Sequence, residues 1–163
     1  MAQANSSGTV DASNAGTITG TAEEIIDAYD DSTITEASDV ALTVNTANSG
    51  TATLTQARSL DGLTTGVVTA TIADTALSDL LDDSTPLLDA NGNNAFTITI
   101  GSGDASASAA DLNALDALTT VAIDAGNVTA ITSSSLADIN TLYASSGFSG
   151  LGDQDITASD SGS

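Results

Sequence analysis

Residues 51–65 read TATLTQARSLDGLTT, and residues 106–120 read SASAADLNALDALTT. Aligned without a gap, the two stretches place L-D-x-L-T-T 55 positions apart, Leu60-Asp61 against Leu115-Asp116 and Thr64-Thr65 against Thr119-Thr120. Leu54, Ala57, Leu60 and Leu63 in one copy, and Ala109, Leu112, Leu115 and Leu118 in the other, recur at helical spacing behind small residues. Self-similarity at a fixed period marks a chain built from stacked similar units.

The flanks repeat as well. An apolar strand follows each copy, GVVTATI (66–72) and VAIDAGNVTAI (121–131), and GTVDASNAGTI (8–18) is an earlier version. The three share a V/I-x-A core at Val10-Asp11-Ala12, Val68-Thr69-Ala70 and Ile123-Asp124-Ala125. Each strand runs into a helical pattern. TAEEIIDAY (21–29) opens with Thr21 and Glu24, a capping-box signature. ADTALSDLL (73–81) offers Asp74 as N-cap and sets Leu77, Leu80 and Leu81 on one face. SSSLADINTLYAS (133–145) does the same for Leu136, Ile139, Leu142 and Tyr143. Second strands follow at 39–47, 94–102 and 154–159.

The spacing therefore predicts one repeat domain over residues 1–163, with units 8–65, 66–120 and a truncated 121–163. Each unit is strand–helix–strand–helix over about 55 residues, and its half covers about 27, a length typical of leucine-rich repeats. Strands joined through helices must run parallel, with right-handed crossovers. Their side chains alternate: Phe96, Ile98 and Ile100 oppose Thr97 and Thr99, and Leu42 and Val44 oppose Thr43 and Asn45. Likewise Val68, Ala70 and Ile72 oppose Val67, Thr69 and Thr71. Strands covered on both faces read as continuous apolar runs, so alternation points to one face under helices and one open face rich in Thr. The expected fold is α/β, a right-handed α/β solenoid with a parallel sheet; the alternative is an open α/β sandwich.

Composition bounds the function. The chain has 163 residues, 22 Asp plus Glu, a single basic residue, Arg58, and a formal net charge of −21. Such a surface repels phosphate backbones and anionic headgroups, so nucleic acid is not an expected partner. No apolar run approaches the roughly 20 residues that span a bilayer, so membrane insertion is not expected. Met1-Ala2-Gln3-Ala4-Asn5 lacks the basic and apolar regions of a secretory signal, and both polar ends fit a fragment of a larger protein. His, Lys and Cys are absent, which removes the usual nucleophile–base pairs, Schiff-base chemistry and ordinary zinc sites. No enzyme is expected.

The remaining chemistry is cation binding by oxygen. Calcium takes six to eight oxygens from carboxylates, amides and backbone. LDANGNNAF offers Asp89, Asn91 and Asn93 at alternating positions, and GDQDIT offers Asp153 and Asp155. These are the candidate metal ligands, with Ca2+ the expected cation; the plain alternative is solvated loops and Asx turns. The Thr-x-Thr pairs Thr69/Thr71 and Thr97/Thr99 form an array of the kind ice-binding solenoids use, or an ordinary β-branched solvent face.

Residues 110–157 carry a resemblance. Leu112, Asn113, Leu115, Asp116, Thr119 and Thr120 match L-N-x-L-D-x-x-T-T, Ile123-Asp124-Ala125 and Val128-Thr129 match a following V-D-A-S-x-V-T segment, and Gly150-Leu151-Gly152 matches a G-L-G. This stretch resembles a repeat of very large secreted or cell-surface proteins of marine bacteria, especially cyanobacteria. The resemblance implies an extracellular or cell-surface repeat module and carries no catalytic residues across. The expected role is structural or interactive, spanning distance or assembling end to end with further copies of itself or neighbouring repeats. The alternative is a calcium-dependent adhesion or ligand-binding module.

Overall fold

The computed structural model describes residues 10–32, 34–36, 38–45, 50–73, 75–82 and 93–160. Within them the chain is α/β, and every strand pairing is parallel. The described residues begin with β1 (Val10–Ala12), a bend, β2 (Thr17–Gly20) and α1 (Ala22–Asp30). β3 (Ile34–Glu36), β4 (Ala41–Val44), β5 (Thr51–Ala52) and α2 (Leu54–Leu63) come next, so the expected unit 8–65 holds two strand–helix segments. β6 (Val68–Ile72) and the one-turn α3 (Leu77–Leu80) follow. Next come β7 (Ala95–Thr97), a 3-10 turn over Ser102–Asp104, β8 (Ser106–Ala107) and α4 (Ala109–Asp116). β9 (Ile123–Asp124), β10 (Ala130–Ser134), α5 (Leu136–Ala144), β11 (Phe148–Ser149) and β12 (Asp155–Ala158) complete the chain.

Each unit lies beside the next at a nearly constant register. Val10 pairs with Ile34 and Thr17 with Ala41, then Leu42 with Val68 and Thr69 with Ala95. Thr99 bridges to Asp124, Phe148 pairs with Ile123, and Ala130 joins Ser106 to Asp155. The step is therefore 24 to 26 residues throughout these pairs. One departure is local. Thr51 pairs with Thr71, a step of 20, which sets β5 beside β6.

The strands read as continuous in the sequence are broken in two. Of the stretch 8–18, the described residues from Val10 onward form β1 and the start of β2, and 121–131 holds β9 and the start of β10. The corners are turned by short side chains: Asp11 Oδ1 accepts from the Ser13 N–H at 3.0 Å, and Asp124 Oδ1 accepts from the Gly126 N–H at 3.0 Å. An Asx turn of this kind bends the backbone where periodicity alone reads straight on.

The helices begin where their caps are. Thr21 and Glu24 exchange backbone N–H bonds of 3.2 and 3.0 Å, and Thr53 and Gln56 do so at 3.3 and 3.0 Å. Ser108 and Ser135 accept from the N–H groups of Asp111 and Asp138. The exception is α3, expected over 73–81 but confined to Leu77–Leu80. Its N-cap is Ala76, whose side chain offers no acceptor. Asp74, expected there, lies outside the described residues.

The expected alternation holds. Leu42, Val68, Phe96, Ile98 and Ile100 are buried with Ala57, Leu60, Leu112 and Leu115 from the helices, while Thr69, Thr97 and Thr99 are exposed. One expected helix face divides: Leu142 is buried, but Leu136 is 57 % and Tyr143 41 % exposed. α5 packs against α4 on one side, and among the described residues no helix follows β12 to cover the other.

The two copies of L-D-x-L-T-T differ at Gly62 and Ala117, and the structure shows why both are accepted. A Cβ at Gly62 would meet nothing within 4 Å, whereas one at Gly66 would fall 2.5 Å from the Asp39 carbonyl oxygen. Gly62→Ala should therefore raise stability by about 0.5–1 kcal/mol through helix propensity. Gly66→Ala should lower it by about 1–3 kcal/mol, because backbone must move. Paired denaturant melts check both signs.

Candidate functional site

The loops chosen as cation sites come out unevenly. Asp89 and Asn91 lie outside the described residues. Asn93 is half-buried next to β7. Asp153 and Asp155 are both exposed, and the Asp155 N–H is committed to the Thr129 carbonyl at 2.9 Å. Among the described residues, no group of three or more acidic side chains comes together closely enough to hold a metal ion. A groove of about 520 Å3 lies between α3 and α4 and is lined by Leu77, Leu81, Asp104, Ser108, Asp111 and Thr132. Asp104 is already engaged there, accepting the Leu77 N–H at 2.9 Å.

What the structure does bring together is a set of polar side chains that join one unit to the next. L-D-x-L-T-T supplies two kinds. Its threonines reach back: Thr64 Oγ1 donates to the Val40 carbonyl at 2.6 Å, and Thr119 Oγ1 donates to the Phe96 carbonyl at 2.7 Å. The same hydroxyls accept from Gly66 N–H and Val121 N–H, closing the turn after the helix. Thr65 and Thr120 add both backbone and hydroxyl bonds to the carbonyls of Ser38 and Asn94. The aspartates reach forward. Asp61 Oδ1 accepts from Asn94 Nδ2 at 2.6 Å, and Asp116 Oδ2 accepts from Ser145 Oγ at 2.7 Å. Asn94 is fully buried, and its Oδ1 takes the Val68 N–H at 3.0 Å.

A second file of ties runs along the helix starts. The first N–H of α3 goes to Asp104, that of α4 to Ser134 Oγ at 2.7 Å and that of α5 to Asp160. Each of these three helix N-termini is thus met from the segment that follows, by an acidic or hydroxyl oxygen that suits its dipole. A third file uses amides. Asn127 Nδ2 donates to the Ile100 carbonyl at 2.8 Å, and Gln154 Nε2 donates to the Val128 carbonyl at 3.1 Å.

Arg58 belongs to this scheme. Its Nη2 donates to the Asp79 carbonyl at 3.2 Å, as Asn113 Nδ2 does to the Asp138 carbonyl at 3.0 Å. Arg58 and Asn113 are 55 positions apart and align in the two opening stretches. The aligned positions mark Arg58 and Asn113 as equivalent in the sequence, whereas the partners of Asp61 and Ser134 carry no such local signal.

Hydrogen bonding also sets acidity at the surface. The Thr21 backbone N–H, then the Thr21 hydroxyl, hold the Glu24 carboxyl below the usual glutamate value, and the Ser13 hydroxyl followed by its N–H lowers Asp11.

Comparison with family models, curated proteins and solved structures finds no match to this chain.

Thr119→Val keeps the side chain's shape but removes two hydrogen bonds and leaves the Phe96 carbonyl short of a partner. It should cost about 1–2 kcal/mol. Thr141→Val, which removes only an exposed bond within α5, should cost less than about 0.5 kcal/mol. Denaturant midpoints compare them. Because its folded pKa is lowered, Glu24 stabilises the fold above its unfolded pKa and loses that contribution as pH falls through the folded value. Thr21→Val should move the Glu24 titration midpoint upward, as read by carboxyl carbon NMR.

Proposed function

We propose that this chain is a non-enzymatic structural module, an acidic right-handed α/β solenoid of a secreted or cell-surface protein that spans distance and stacks with further repeats or copies of itself. The observation that carries the reading is the register. A parallel step of 24 to 26 residues, kept from Val10↔Ile34 to Ala130↔Asp155, is what successive turns of one superhelical path require. The inter-unit ties support it, since the same hydroxyl-to-carbonyl bond recurs at Thr64 and Thr119. Helices on one face and exposed threonines on the other favour this arrangement over the open sandwich.

The last unit supports stacking. Ile156 pairs with Ile131, which is fully buried, yet is itself 50 % exposed, and Leu136 and Tyr143 on α5 are exposed as well. A further repeat or copy seated there would complete burial that the chain's own pattern begins. Like charge opposes it, so association should strengthen with ionic strength. Sedimentation velocity at raised salt should show concentration-dependent growth that Ile156→Asp abolishes; a strict monomer at every salt and concentration would count against assembly. Small-angle scattering of the monomer tests the solenoid itself, which requires an elongated particle. The calcium-dependent reading is separated by a melt in EDTA, calcium and magnesium at matched ionic strength: a calcium-specific rise favours it, and an equal response to all salts favours the plain spacer.

A further inference from the structure

The sheet formed by β2, β4, β5, β6 and β7 contains no charged residue, in a chain with 22 acids. Its inward positions are apolar or glycine. Its outward positions are all threonine except Ala41 and Ala95. The threonines are in register. Thr19, Thr43 and Thr69 stand side by side on β2, β4 and β6. Thr51, Thr71 and Thr97 form a second file on β5, β6 and β7. The two files meet on β6, where Thr69 and Thr71 point the same way.

Parallel pairing fixes this array at about 4.8 Å between strands and about 6.7 Å between alternate residues. Thr is stiff at χ1, so the backbone carries its methyl and hydroxyl in a repeated orientation. Among the described residues, the hydroxyls of Thr19, Thr43, Thr69, Thr71 and Thr97 take part in no intramolecular hydrogen bond, unlike those of Thr64 and Thr119. They are directed to water. The array ends where Thr99 meets Asp124, the first carboxylate across that ladder.

We propose that this threonine face binds the surface of ice. A neutral, regular lattice of water is matched by a neutral, regular array of methyl and hydroxyl groups held rigid by the ladder, the methyls filling surface hollows and the hydroxyls joining the water network. Other occupants fit less well. Sugar rings are held by aromatic stacking, and the one aromatic of these strands, Phe96, is fully buried on the inner face. An ionic or polyanionic surface would need charge, and the face has none. This inference stands apart from the solenoid reading, because it uses only the local register of the sheet.

The test is partition into a slowly growing ice shell, with a folded protein of similar acidity as control. The chain should be enriched in the ice fraction relative to the control. The double variant Thr69→Lys/Thr97→Lys should fall to the control level, while Asn140→Lys on α5 should not. Circular dichroism melts establish that each variant is folded. If the lysine variant is unfolded, Thr69→Val/Thr97→Val replaces it, and its enrichment should fall with the lost hydroxyls. No enrichment of the parent chain, or enrichment that the threonine substitutions leave unchanged, overturns the proposal. So does threonine-dependent adsorption to crystalline cellulose or chitin without partition into ice, which would assign the face to polysaccharide.

Discussion

A strand–helix unit of this chain is too thin to close its own hydrogen bonds, and the structure depends on each unit completing its neighbour. The dependence is clearest at the carbonyls just before and within the strands. The Asn94 carbonyl accepts both the N–H and the hydroxyl of Thr120, and the Ser38 carbonyl accepts the N–H of Thr65 with the hydroxyls of Thr64 and Thr65. An amide ladder alone would leave much of that capacity to water. Threonine brings a second donor to the same oxygen while its methyl adds to the small-residue packing.

The ties are chemically plain: hydroxyls, amides and a few carboxylates meeting backbone. That suits a chain at −21, in which side-chain ion pairs cannot be the general means of joining units. Bonds between neutral groups are insensitive to ionic strength, so the stack can hold while its acids repel one another across solvent. Of the acids that take part, Asp104 and Asp160 receive backbone N–H groups at helix starts and Asp11 and Asp124 at corners, while Asp61 and Asp116 receive an amide and a hydroxyl donor. Even the lone arginine acts as Asn113 does elsewhere, as a donor to a carbonyl of the next helix.

Packing follows the same logic. The interior is built from Val, Ile, Leu and Ala, with Phe96 the largest fully buried side chain. Where Ala109 starts α4 the position is fully buried; where Leu136 starts α5 it is open, since among the described residues no helix follows α5 to cover it. Burial in this protein is therefore a property of a residue's place along the stack as much as of its type.

The sequence by itself determined the elements and their faces. Capping boxes at Thr21/Glu24 and Thr53/Gln56, helical leucine spacing and period-2 alternation are local signals. Each records an interaction made within a few residues, so the α/β class and parallel pairing were legible from it. Tertiary structure decided what lies 27 to 33 residues away in sequence: that Asp61 answers to Asn94, and that Asp104 caps α3 where Ala76 cannot. It also decided that half of the α5 face stays in water. The candidate cation residues Asp153 and Asp155 are a local pattern of alternating acids. What their side chains face is decided by tertiary structure, because spacing along the chain does not specify which way neighbouring loops turn.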